Sequence, residues 1–392
     1  MAIGGRYRRD PGSGPVRVTS LELFYDLVFV FAVTQVSHLL LDHLTWEGAG
    51  RAALVLLVVW WSWNYTTWVT NELDPESATV RLLLVALMLA SLVMAVAIPD
   101  AFGDRALLFA ASYVAIQVGR HLFLTFVAAG PGTVERRRAG HILTWFCAAG
   151  FLWIAGALTD GTARTVLWLA ALAVDYAGPF ATYWVPGVRR VATTAWEVAT
   201  GHFAERFQLF VIIALGETIV ITGATTSGLE LTVARVVALS VAFLGTAAFW
   251  WLYFDYVAAI AERRLERAPD RVPLARDGYT YLHVVLVAGV IVAAVGDELV
   301  IAHPGRALSG AELAVVAAGP AIYLLGHVLF RLRMAGTLSV KRLAGAAACV
   351  ALGLIGGGLP ALSLSALLVG VLVAVIAAEL AGAASGEPSR LG

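Results

Sequence analysis

The chain has 392 residues, of which 60% are hydrophobic and 14% charged, with 27 basic and 27 acidic side chains in balance, and its mean hydropathy is +0.81. That composition describes an integral membrane protein whose first partner is the lipid bilayer, and a net charge of zero gives no reason to expect a nucleic-acid partner. Cys147 and Cys349 both fall in apolar runs, so they imply neither a disulfide framework nor a paired-thiol metal site.

The run from Met1 to Pro15 is rich in Arg and Gly and has no apolar core, so it reads neither as a cleaved signal peptide nor as a span. Residues 1–20 are expected to form a tail. Hydropathy over about 19 residues then predicts twelve spans. They are Leu21–His43, Arg51–Thr70, Val80–Ile98, Ala106–Ala128, Ile142–Leu158, Thr162–Trp184, His202–Thr225, Ala234–Ile260, Tyr279–Ile301, Glu312–Arg331, Val340–Gly358 and Ala361–Leu380. The expected fold is an all-α, polytopic transmembrane helical bundle. With twelve spans, twenty of the 27 Lys and Arg fall on the side of the N-terminus and five on the other. The positive-inside rule therefore places both termini in the cytoplasm.

The first span places two carboxylates, Glu22 and Asp26, inside hydrocarbon-like sequence. Acids in spans are costly and face protein interior or water, where they mark ion and proton pathways. They are four apart and share a helix face, which Thr34 and His38 extend. The second span carries Trp60-Trp61-Ser62-Trp63-Asn64-Tyr65 and the eighth Trp250-Trp251-Leu252-Tyr253-Phe254-Asp255-Tyr256. Asn64 and Asp255 in these motifs either line a vestibule or reach headgroups. Gly119-Arg120-His121-Leu122-Phe123 in the fourth span matches Gly326-His327-Val328-Leu329-Phe330 in the tenth, and Pro99-Asp100 matches Gly296-Asp297. The matches predict two like-oriented six-helix halves, residues 21–184 and 202–382, joined by a cytoplasmic connection, 185–201, and followed by a tail, 383–392.

Arg120, His121 and Asp175 lie at comparable depth; Arg120 cannot deprotonate, and Asp175 or Glu217 is the expected counter-ion. In the seventh span His202, Arg206, Ile213 and Glu217 fall on one face, with Glu205 beside them. Glu217 is about 16 Å beyond Arg206 along the axis, near mid-membrane. Gly216 beside it is expected to let another helix approach closely. A lone His such as His38, His283 or His327 reads as a packing residue, and no His/Cys/Asp cluster has zinc spacing, so neither metal nor cofactor is expected.

Glu22-Leu23-Phe24-Tyr25-Asp26-Leu27-Val28-Phe29-Val30, with Glu205-Arg206-Phe207 and Leu215-Gly216-Glu217-Thr218-Ile219, resembles the bacterial low temperature requirement A (LtrA) family over most of the chain. The resemblance implies a polytopic inner-membrane protein needed for growth in the cold and supplies no catalytic residues. Phe24-Tyr25-Asp26 followed by a Trp/Asn-rich second helix is also similar to the six-helix repeat of potassium channels carrying Phe-Ser-Asp, whose first helices line the pore. Here Tyr25 replaces the Ser, Arg17 is too far upstream to match that family's Arg, and Phe207-Gln208-Leu209 in the second half lacks the Asp.

Enzyme chemistry finds little footing. Asp26 and Asp297 lie about a membrane apart, too far to act as paired protease aspartates, and position 294 is Ala where that motif needs Gly. No phosphate-binding Gly loop or zincin motif is present. Lys341, the single lysine, sits at a helix end rather than mid-span, which excludes a retinal Schiff base. The expectation is an ion- or proton-linked transporter or channel, not an enzyme. Glu22, Asp26, Thr34, His38, Arg206 and Glu217 would form its pathway; Arg120, His121, Asp175, His202, Glu205, Asn64 and Asp255 would support it. A small ion or proton is the expected ligand, and a homodimer is left open. A lipid-organising scaffold is the alternative.

Overall fold

The computed structural model describes residues 7–8, 17–191, 198–255 and 257–384. Most of the two expected tails, the middle of the connection 185–201 and Tyr256 lie outside the described residues. Helices account for the fold, and among the described residues there is no strand, only isolated bridges such as Arg8 to Leu73. This follows from the solvent: with no water to satisfy its amides, an apolar backbone must bond to itself, and the helix does so within one segment.

The helices in chain order are α1 (Ser20–Asp42), α2 (Trp46–Glu72), α3 (Ala78–Ala97), α4 (Ala106–Phe123), α5 (Val134–Ala157), α6 (Gly161–Ala177), α7 (Thr200–Ser227), α8 (Val233–Phe254), α9 (Val257–Arg267), α10 (Arg271–Ala275), α11 (His283–Ala302), α12 (Gly310–Ala335), α13 (Val340–Ile355) and α14 (Ala361–Ala384). Wider π-turns extend α4 over Leu124–Ala128 and lead into α11 over Arg276–Leu282. Polar side chains set several ends. Thr133 and Thr232 accept backbone N–H bonds at the starts of α5 and α8, Ser309 and Glu312 form a capping box on α12, and left-handed Gly336 closes it.

Ten helices among the described residues are long and apolar enough to cross a membrane. The second and sixth of the twelve expected spans, α2 and α6, are helical but are not among the ten. In α2 the cause is composition: its C-terminal half, Trp60 to Glu72, holds mostly Trp, Ser, Asn and Thr in place of aliphatic side chains, and Trp60, Trp61, Trp63, Asn64, Thr66 and Thr67 there are all buried. In α6 the cause is length. Its 17 residues rise about 26 Å against a hydrocarbon core of about 30 Å. The sixth span was expected to run to Trp184, but Gly178-Pro179 ends the helix, because proline lacks the N–H the next turn needs, and Thr182 and Tyr183 are left-handed.

The chain divides into two compact units. The first takes the chain up to Val36 together with Leu54–Arg206, and the second takes Ser37–Ala53 and everything from Phe207 on. Inside the first, Tyr25 and Asp26 at the start of α1 meet Thr66 and Trp63 near the end of α2, so these helices are antiparallel. Helices α5 and α6 are antiparallel as well: Gly156 packs on Trp168, and Trp153 donates to Asp175. Tyr176 of α6 stacks on Trp61 of α2, ring centroids 3.9 Å apart, and donates to the Leu57 carbonyl.

The second unit is held most closely by α11 and α12. A Cβ on Gly289 would come within 2.6 Å of the Tyr323 nitrogen, and one on Gly319 within 2.6 Å of the Ala293 backbone, so two backbones approach where only glycine fits. The matched sequence motifs differ in burial. Trp60 and Trp61 are buried, whereas Trp250 is 48% and Trp251 43% exposed. The histidines agree better: His121 lies 6.1 Å from the Tyr65 ring in the first unit, and His327 lies 6.0 Å from the Tyr253 ring in the second, at similar tilts.

Candidate functional site

The first turns of α1 and α7 form a two-rung ladder. His202 Nε2 lies 2.9 Å from Glu22 Oε1, and Arg206 Nη2 donates to Asp26 Oδ1 at 2.6 Å. Both pairs are spaced four residues on each helix and are met in the same order, so the two helices run in one direction at this point. All four side chains are buried, with 0% of the side-chain surface exposed.

Neighbouring side chains fix each rung. Asn71 is clamped on the Ala199 backbone by two hydrogen bonds, and its Nδ2 also lies 3.1 Å from His202 Nδ1. Since an amide nitrogen can only donate, Nδ1 accepts, and the imidazole proton is on Nε2, donated to Glu22. The other oxygen of Glu22 caps its own helix, accepting from the Thr19 N–H and hydroxyl, both at 2.9 Å. Trp63 donates from its indole to Asp26 Oδ1 at 2.7 Å, and its ring lies 5.9 Å from the Arg206 guanidinium carbon. Asp26 Oδ2 and Arg206 Nε and Nη1 are buried and without hydrogen-bond partners among the described residues. Half-buried Glu205 accepts the Val18 N–H at 3.2 Å.

A second strand of polar contacts runs through α2, α4 and α6. Thr66 Oγ1 accepts from the Tyr25 hydroxyl and from Arg120 Nη1, each at 2.8 Å. Arg120 Nη2 donates to Gln117, whose own amide donates to the Tyr113 hydroxyl at 3.1 Å. Tyr113 in turn donates to Asp175 Oδ2 at 2.7 Å, where Trp153 donates at 3.0 Å. Arg120 and Asp175 thus belong to one network without forming an ion pair. The expected direct salt bridge is not there, because Gln117 and Tyr113 stand between the two groups. His121 turns to its own helix, with Nδ1 2.9 Å from the Gln117 carbonyl.

Other expected positions separate from this cluster. Successive steps of four residues rotate about 40° around a helix, so the row from Glu22 winds away from the buried face by the end of α1. Thr34 is half-buried and bonds to the Val30 carbonyl, His38 is exposed, and Ser37 is buried instead. Asn64 is buried but Asp255 is exposed at the end of α8. Glu217 is buried in the second unit, and Thr218 beside it shares a hydrogen bond with Thr246 at 2.9 Å. Gly216 does not provide the expected close approach: a Cβ there would meet nothing within 4 Å. The buried face of α7 there is carried by Ala214, Leu215, Glu217 and Thr218, and Gly216 points between it and the exterior.

Trp63, Asn71, Thr66, Gln117, Tyr113 and Trp153 were not anticipated as site residues. For Glu22 a signal was present, since Thr19-x-x-Glu22 is a capping-box pattern. Among the described residues no group of three or more His, Cys, Asp or Glu is placed to hold a metal ion.

The model of the family described as bacterial low temperature requirement A protein (LtrA) matches residues 17–377. A Rhizobium meliloti (strain 1021) protein named "Uncharacterized protein RA0937" is 39% identical over 322 residues, covering 82% of this chain and 76% of that protein. No solved structure matches.

Proposed function

The chain belongs to the bacterial low temperature requirement A (LtrA) family, and we propose that it acts as an ion- or proton-linked transporter or channel in the bacterial inner membrane, with both termini cytoplasmic. The observation that carries this reading is the buried Asp26–Arg206 pair, which leaves one carboxylate oxygen and two guanidinium nitrogens without partners among the described residues. A purely structural ion pair gains from using every donor and acceptor, because each one left over costs desolvation. Groups held ready for another ligand leave such atoms free. Asp26 is the ion- or proton-contacting group, Arg206 sets its charge balance, and Glu217, farther along α7, is a second acid that exchanges protons. Glu22 and His202 hold the first turns of α1 and α7 together, since both Glu22 oxygens are engaged. The protein works without enzymatic chemistry, and its partners are the bilayer and the transported ion.

The experiment is flux into proteoliposomes across a panel of ions with a pH-sensitive dye. Transport of one ion or of protons above protein-free vesicles supports the reading. A null across the panel replaces it with the lipid-organising scaffold.

A further inference from the structure

Asp175 is a buried acid that the ladder does not use. It is 2% exposed, and its two hydrogen bonds come from neutral groups, the Tyr113 hydroxyl at 2.7 Å and the Trp153 indole at 3.0 Å. Both land on Oδ2. Oδ1 is buried and without a partner among the described residues. The elements around it bring Tyr113 and Gln117 from α4 and Trp153 from α5, while Tyr176 beside it turns to the Leu57 carbonyl of α2. Among the described residues no Lys, Arg or His bonds to Asp175, and Gln117 and Tyr113 separate it from the Arg120 guanidinium.

That pattern is the one a carboxylic acid makes rather than a carboxylate. In an ionised carboxyl the two oxygens share the charge and both attract donors, as in Glu22, where Oε1 meets His202 and Oε2 accepts twice from Thr19. In a neutral acid the carbonyl oxygen is the acceptor and the other oxygen carries the proton, and Asp175 shows that division. Asp26 also receives both its bonds on one oxygen, but one of them comes from the Arg206 guanidinium at 2.6 Å, which compensates its charge. Asp175 has no such cation, and a buried charge without one costs far more than a buried hydroxyl without an acceptor. A neutral Asp175 also leaves the buried charges of the ladder and its network in balance: Glu22 and Asp26 stand against Arg120 and Arg206, with His202 uncharged in the tautomer that Asn71 sets.

The donors leading to Asp175 run one way. Arg120 can only donate, so Gln117 accepts at Oε1 and donates from Nε2, and the Tyr113 oxygen that accepts there sends its own hydrogen to Asp175. Loss of a proton from Oδ1 therefore requires none of these groups to turn round, and the charge it leaves faces a chain already polarised from a guanidinium.

We propose that Asp175 is a proton-binding site: its Oδ1–H bond breaks to hand the proton to water, the carboxylate left behind is steadied by Arg120 through Gln117 and Tyr113, and the reverse step restores the acid. This adds a site away from the ladder to the reading of Asp26 and Glu217, and it is tested by infrared spectroscopy rather than flux, so its failure is distinguishable from a failure of transport. The experiment records infrared difference spectra against pH for the purified full chain in dodecyl maltoside, a detergent without carbonyl groups. A carboxyl C=O band that shifts in heavy water should be lost as the pH is raised, return when it is lowered, and be missing from Asp175→Asn. Should Asp175→Asn not fold, Tyr113→Phe decides the matter: with one hydrogen bond removed from the carbonyl oxygen, the band should move to higher wavenumber. Spectra of Asp175→Asn that superpose on the wild type, a band that persists at every pH, or a band unmoved in Tyr113→Phe would overturn the site.

Discussion

At the scale of single residues, the Asp26–Arg206 pair determines what substitutions reveal. Removing one partner of a buried ion pair strands the other charge, at a cost of about 3–5 kcal/mol. Both Asp26→Asn and Arg206→Gln should therefore lower the unfolding temperature markedly, while the double variant, in which neither charge remains, should recover much of the loss. Equal losses that simply add in the double variant would mean that the two side chains do not depend on one another. Glu22 is different in kind. Its Oε2 closes the first turn of α1 with Thr19, so Thr19→Ala should cost about 1 kcal/mol through the lost cap. A Thr19→Ala protein as stable as the wild type would show that the cap contributes nothing.

At the scale of elements, close helix approach depends on which face a glycine occupies, and the sequence does not say which. Gly216 sits beside an intramembrane acid and reads as a contact, yet nothing lies within 4 Å of where its Cβ would be. Gly289 and Gly319 drew no notice in the sequence, yet they are where α11 and α12 touch. Gly289→Val should overpack that interface and destabilise by about 1–3 kcal/mol. Gly216→Ala should be neutral or stabilise by up to about 1 kcal/mol through helix propensity. Reversal of this order in thermal unfolding would contradict the packing. Periodicity made most helices legible, because 20-residue apolar runs have few other solutions in lipid. It also put Glu22 and Asp26 on one face, and His202 and Arg206 on another. What it could not give was the pairing between those faces, which lie 180 residues apart. Nor could it show that the Trp-rich stretch of α2 serves Asp26, since tryptophan at that depth is equally suited to a headgroup belt.

At the scale of the whole molecule, the asymmetry of Lys and Arg predicts that both termini are cytoplasmic. Reporter fusions at Gly392 and in the loop near Arg137 should both read as cytoplasm; a C-terminus on the other side would require an odd number of crossings. Ten apolar helices make an even number of crossings, and the number stays even if α2 and α6 are added to them. The most direct test of the functional reading is flux through proteoliposomes containing the charge-balanced Asp26→Asn/Arg206→Gln variant, compared with wild type for the ion that the wild type moves. The ion- or proton-linked reading predicts a folded, correctly inserted protein with flux at the level of empty vesicles, whereas wild-type flux through that variant would make the Asp26–Arg206 pair a structural tie and contradict its place in the pathway.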